Sequence, residues 1–393
     1  MAKFRRRDVI KTGALAAAAG MLGAGAKDVR ARGATEPQGV RALARSSFAV
    51  TGPDKPWTIP QRKTSRRVTV DIHTHWAPED YLKIKAKLGH PDFLNSLNYD
   101  LPHRIQWMNQ FGVETIMLTL GGFMPWAWVT PEQGMQIASS VNDAAIAAHG
   151  KYPDRFVAGI EIPVGYPEGC LRELSRVAGK PGMVGVHVPN TLPQRLEYLF
   201  EPAFAPVLQR IEELGLPLLV HPLDGNQNWF AGDLLADQYS GSNPAPKGPA
   251  SLFPGLTNSL GESFWQATTM AKLIVTGTLD KYPKLTPVIF HAGGAFPYVA
   301  GRVQARTWGA DHLERPFHEY LRRFYYDDLT YYPIALRFLI DMVGIDRVMV
   351  GTDNMFTNPD MMLPPNTLVD QLNLPAPERD LILFGNARRL FGI

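Results

Sequence analysis

Arg67-Val68-Thr69-Val70-Asp71-Ile72-His73-Thr74-His75 is an apolar, β-branched run that ends on alternating polar residues. Such a run reads as a strand over Arg67–His73, with the polar residues just beyond its C-terminal end. Side chains alternate along a strand, so His73 and His75 project to one side, a pleat apart, and can share one cation. Seven further strands are expected at Glu114–Leu120, Phe156–Ile162, Met183–Val188, Pro217–His221, Pro287–His291, Phe324–Asp328 and Arg347–Thr352. Amphipathic stretches at Pro131–Lys151, Pro167–Ala178, Ala203–Leu214 and Ile334–Val343 read as helices between them. Eight strands alternating with helices imply a parallel sheet with right-handed crossovers. Near-continuous apolar strands such as Leu216–Val220 fit burial on both faces. The expected fold is therefore α/β, a (β/α)8 TIM-type barrel over residues 67–393, since such barrels take about 250 residues. A doubly wound open sheet is disfavoured, because no G-x-G-x-x-G follows the first strand.

The strand ends carry the candidate chemistry. His73 and His75 close the first strand, His221 the fifth, His291 the sixth and Asp353 the eighth. A barrel delivers all of these to its C-terminal face, where active sites of this architecture are built. Imidazoles with a carboxylate suit a borderline divalent cation such as Zn²⁺, with a position left for water; Mn²⁺ is the alternative ion. The lone cysteine, Cys170, excludes an intramolecular disulfide and a cysteine-cluster metal site.

With these residues in place, the chain resembles the amidohydrolase superfamily, in its branch of 2-amino-3-carboxymuconate-6-semialdehyde decarboxylase and related carboxylate decarboxylases. The resemblance runs through Asp71–His75, Gly112–Leu120, Leu219–Pro222, Tyr282–Leu285, His291–Tyr298, Gly301-Arg302, Gly351–Asp353 and Gly385–Ala387. It implies that His73, His75, His221 and Asp353 bind the metal. His291 would be the general acid/base beside the metal-bound water, with Asp353 completing the catalytic pair. Many amidohydrolases place a bridging lysine on the fourth strand; Gly185-Val186-His187-Val188-Pro189 has none, which favours a single metal. The resemblance further implies a homodimer. It implies a non-oxidative decarboxylase (carboxy-lyase) acting on a small unsaturated or aromatic carboxylic acid. A metal-dependent hydrolase of a lactone, ester or amide is the alternative on the same site.

Substrate contacts are open to several residues. Arg302 is a candidate partner for a substrate carboxylate, since a guanidinium fork matches that geometry. Residues 82–103 hold no arginine, where the named decarboxylase has one that binds substrate. Trp126, with Phe123 and Trp128, and Trp229 with Phe230 in the long loop 223–262, can stack on a planar acid. His187 reads either as a pocket residue or as a core histidine.

The N-terminus reads as an address. Arg6-Arg7-Asp8-Val9-Ile10-Lys11 precedes an Ala/Gly-rich run to Ala26, the pattern of a twin-arginine signal peptide over residues 1–26 and of a periplasmic destination. Residues 27–66 are rich in Pro, Arg and small side chains without periodicity, and read as an extended arm. The net charge is +3, and residues 1–26 alone contribute +4 (five cations, one carboxylate), so the remainder carries −1. A near-neutral body gives no electrostatic case for nucleic-acid binding. No apolar run is long enough to span a bilayer, which takes about 20 residues.

Overall fold

The computed structural model describes residues 69–90, 96–192, 195–223, 260–306, 312–354 and 364–393. The signal segment, the arm and most of the long loop, with Trp229 and Phe230, lie outside the described residues. Eight strands run in sequence order around one parallel sheet: β1 Thr69–His75, β2 Val113–Thr119, β3 Phe156–Glu161, β4 Met183–Pro189, β5 Leu218–His221, β6 Pro287–Ile289, β7 Tyr325–Asp327 and β8 Val348–Met349. The chain past β8 returns to β1, through Ile72 N to Val350 O at 2.9 Å and His75 N to Asn354 O at 3.0 Å. The sheet thus curls into the expected TIM-type barrel.

The barrel interior is filled from below. Val70, Ile72, Met117, Val157, Leu219, Val288, Phe290 and Met349 form one buried cluster inside it, joined by Ala387 and Phe391 of the C-terminal helix. A larger cluster, including Ile116, Ile160, Val186, Val220 and Ile289, packs the outward strand faces against the helices. Helix ends follow local chemistry. Thr130 and Gln133 form a capping box on the helix Pro131–Lys151, and Gly112 and Gly215 end two helices in the left-handed conformation.

Two strands stop more than one residue short of expectation, and both stops matter to the site. β6 ends at Ile289 rather than His291, and β8 at Met349 rather than Thr352. Side-chain carboxylates take over the donors that a longer ladder would use. Asp327 accepts from the backbone N–H of His291 and Ala292 at 2.9 and 2.5 Å. Asp328 accepts from Gly351 N, and Asp71 from Thr352 N and Oγ1. His291, Ala292 and Asp353 turn into positive φ, each near +55°, with Asp353 N still donating to His73 O of β1 at 2.9 Å.

Candidate metal centre

β1 supplies two of the candidate ligands, although its pairing with β2 slips between Asp71 and Thr74. The ring centroids of His73 and His75 lie 5.8 Å apart. Behind them the buried Arg104 guanidinium donates to Thr74 Oγ1 and to the carbonyls of His75 and Leu97. Burial pulls its pKa down to about 9, against the pull of Asp71. Gly121 has φ +53°, and a Cβ there would fall 2.5 Å from the His75 ring. Only glycine lets the loop after β2 close over that imidazole.

His221 from the end of β5 brings its Nε2 within 3.2 Å of His75 Nε2, while its Nδ1 faces the carbonyl of Pro222 at 2.6 Å. Asp353 Oδ1 lies 2.8 Å from His75 Nε2 and 3.2 Å from His73 Nε2. His291 Nε2 lies 3.5 Å from Asp353 Oδ2. Single ligand atoms of His73, His221, His291 and Asp353 all fall within 4.8 Å of one another. All five residues expected at the strand ends are therefore brought together.

The donors fit a cation better than they fit each other. His73 Nε2 and Asp353 Oδ1 are buried and close, yet no hydrogen bond of acceptable geometry satisfies either. Separations near 3 Å are the edges expected of a polyhedron whose ligands sit about 2.1 Å from one shared ion. A second shell orients the first: His73 Nδ1 lies 2.7 Å from Asp327 Oδ2, the carboxylate–histidine arrangement typical of metal ligands.

Charge is distributed unevenly over the cluster. Burial opposes a charge on His73, but Asp353 and Asp327 outweigh it and push its pKa up to about 10. Burial, with the imidazoles of His75 and His73 beside it, holds His221 well below the usual histidine value. Burial also lowers His75, and Asp353 offsets this only in part. Burial would raise Asp353, but His73 and His75 keep it well below the carboxylate range. A cation in this cluster competes with the proton on His73.

A cavity of about 430 Å³ opens beside His291 and Asp353. Its walls come from the starts of the helices Glu262–Val275 and Phe296–Arg306, from Leu329–Tyr331 after β7, and from Phe338 and Leu339. The His73 side chain is 0% exposed, whereas those of His291 and Asp353 are 16% and 19% exposed. His291 is thus the imidazole of the cluster that a bound molecule meets first.

Three candidate substrate contacts fall elsewhere. Arg302 lies on the exposed side of its helix and does not line the cavity, because Phe296, Pro297 and Ala300 claim the inward face. Trp126 is buried with Val129, Thr130, Gly134 and Tyr166 around a separate small void, since the turn after β2 folds it under the neighbouring helix. Phe123 alone of that aromatic group meets the centre, edge-on to His75 at 5.5 Å, while Trp128 stacks on His90. His187 is fully buried on β4, its Nδ1 2.7 Å from Glu161 Oε1, and it does not line the cavity.

Asp327 is the main residue that the strand-end reasoning passed over. It receives His73 Nδ1 and two backbone N–H groups. The signal was present: Asp327-Asp328 closes the seventh strand just as the other ligands close theirs.

The family description for amidohydrolases matches residues 70–393. The chain is 24% identical over 356 residues to 2-amino-3-carboxymuconate-6-semialdehyde decarboxylase of Dictyostelium discoideum, covering 84% of this chain and 92% of the relative. It is 27% identical over 347 residues to gamma-resorcylate decarboxylase of Rhizobium sp. (strain MTP-10005), covering 82% and 97%. Among solved structures, the dihydroxybenzoic acid decarboxylase of Polaromonas sp. JS666, with bound manganese and the inhibitor 2-nitroresorcinol, superposes with a TM-score of 0.66 at 24% identity, covering 83% of this chain and 97% of that one. That likeness establishes the fold. With the family pattern running from Val70 to the C-terminal Ile393 across this barrel, the chain belongs to the amidohydrolase family.

Proposed function

We propose that the protein is a metal-dependent non-oxidative decarboxylase of a small unsaturated or aromatic carboxylic acid. The carrying observation is the placement of His291: it joins the donor cluster yet faces the cavity, with Asp353 Oδ2 3.5 Å from its Nε2. Relatives named as decarboxylases, matching over most of their length, support the reading.

We assign His73, His75, His221 and Asp353 as ligands of one divalent ion, and His291 as the proton carrier. Three nitrogens and a carboxylate suit Zn²⁺; the Polaromonas relative holds manganese, so Mn²⁺ is the competing assignment. When bound, the ion would supply Lewis acidity toward the substrate's oxygens. His291 donates its proton to the carbon that bears the carboxylate. The carbon–carbon bond then breaks, its electron pair returns to the unsaturated system, and CO2 leaves. Asp353 holds the Nε2 side of His291 toward the cavity during that transfer.

The test is product analysis with metal-loaded protein on a panel of phenolic and unsaturated acids, lactones and esters. Release of CO2 with a decarboxylated product supports the reading. Acid release without CO2 would make the protein a hydrolase on the same centre.

We also propose export through the twin-arginine route, on the strength of Arg6-Arg7 and the following Ala/Gly run, with an arm over residues 27–66. Periplasmic accumulation of an Arg6→Lys/Arg7→Lys variant at wild-type level would refute it. The homodimer is proposed on the resemblance alone, and light scattering of the purified protein tests it. Among the described residues no helix is long and apolar enough to cross a membrane.

A further inference from the structure

Five non-glycine residues among those described have positive φ: His291, Ala292, Tyr331, Asp353 and Asn373. The first four all line the one cavity at the metal centre. Three of them belong to the centre or to the turn that presents His291. Tyr331, with φ +59°, does not.

An aromatic residue in the left-handed region is sterically disfavoured and persists only where its surroundings impose it; such strain gathers at functional sites. Here the loop after β7 imposes it. Leu329 N donates to Asp327 Oδ1 at 3.4 Å, Thr330 N to Asp328 O at 2.8 Å, and Thr330 Oγ1 to Tyr332 O at 3.0 Å. The same aspartate that orients His73 therefore also shapes the turn carrying Tyr331. Glycine or asparagine would sit there with less backbone strain.

The cavity shows what the side chain offers. Its described lining includes the carboxylates of Glu262 and Asp353 but no lysine or arginine. Among the described residues of one chain, what the cavity offers an anionic ligand is therefore neutral donors. The Tyr331 hydroxyl has no hydrogen-bond partner among the described residues, and the residue is 41% exposed. A phenol is protonated at neutral pH and can donate.

We propose that Tyr331 is a substrate-positioning and specificity-determining residue: its hydroxyl donates a hydrogen bond to an anionic oxygen of the bound acid, and its strained backbone aims it there. This rests on the carboxylic-acid reading of the site, but not on the fate of the acid.

The experiment measures binding to the metal-loaded protein by calorimetry, with salicylate and the uncharged salicylamide as probes. Wild-type protein is expected to prefer salicylate. Tyr331→Phe keeps the ring, and is expected to bind salicylate about tenfold more weakly while salicylamide changes by less than about twofold. Tyr331→Gly is expected to lose the same preference with no fall in Tm, because the strain is relieved. On a turned-over acid, the effect of Tyr331→Phe on KM is expected to exceed that on kcat. Absence of the preference in wild-type protein, equal affinities in Tyr331→Phe and wild type, parallel losses for both probes, or a fall in Tm for Tyr331→Gly would each overturn the proposal. If product analysis shows hydrolysis instead of CO2 release, the decarboxylase reading fails while the probe series still stands.

Discussion

His73 Nδ1 and Asp327 Oδ2 lie 2.7 Å apart across 254 residues of chain. One carboxylate thus sets the ring orientation of a candidate ligand on β1 and, through the backbone N–H groups of His291 and Ala292, the turn that presents the candidate acid after β6. The candidate ligand and the candidate acid are positioned by the same side chain.

Removing that side chain should therefore loosen the centre without emptying it of donors. Asp327→Ala is expected to weaken metal binding by about 10–100-fold, the usual cost of losing a carboxylate behind a ligating histidine. Chelator competition measures this. An unchanged metal affinity would show that His73 needs no such support.

His221→Ala should behave differently from His291→Asn. Loss of His221 is expected to remove metal and activity together, and to lower stability, because an ion that binds only the folded chain stabilises it. His291→Asn is expected to keep close to a full metal equivalent and lose about two to four orders of magnitude in kcat. Metal analysis and turnover on the same preparations decide it. Metal loss in parallel with activity in His291→Asn would make His291 a ligand and move the acid/base role to Asp353.

Metal binding should release a proton in mildly alkaline solution. In the metal-free protein His73 has its pKa pushed up to about 10, so it is protonated at pH 8, and ligation requires its lone pair. Calorimetry in buffers of different ionisation enthalpy is expected to give about one proton released per metal; buffer-independent heat would contradict this. The linkage has a definite sign. The raised value stabilises the metal-free fold fully below the ordinary histidine pKa of about 6.5, and that contribution is lost as pH rises through about 10. His75 and His221, both lowered, act in the other direction and remove stability as pH falls below about 6.5. The gain in Tm on adding metal should therefore grow between about pH 7 and 9.5.

Gly121 offers a test from outside the ligand set. A methyl there would sit 2.5 Å from His75 Cδ2 and Nε2, on a backbone with φ +53°. Gly121→Ala is expected to cost more than about 1 kcal/mol of stability and to displace the His75 ring. Metal affinity should drop along with Tm. A stable variant with full metal binding would mean that the loop after β2 moves aside freely.

Much of this architecture is legible in residue order. Apolar runs bounded by turn residues locate all eight strands, and the helix at Pro131–Lys151 falls where its periodicity places it. His73, His75, His221, His291 and Asp353 stand out because a parallel barrel sends every strand end to one face. The true ends of β6 and β8 are not legible in that way, because Asp327, Asp328 and Asp71 compete for their backbone donors from other strands.

The sequence alone determined the alternation of elements and the types of donor at the strand ends, since both follow from periods of two and of 3.6 residues along the chain. Tertiary structure decided which polar residues share a space. Arg302 turned outward and Trp126 turned under a helix because packing of neighbouring elements, not local pattern, selects a face. Asp327 met His73, and Tyr331 met the cavity, only because closure of the barrel brings β7 beside β6 and β8 and turns β8 back onto β1. Periodicity records how a segment folds against its own axis; the distance between β1 and β7 is set by the whole sheet.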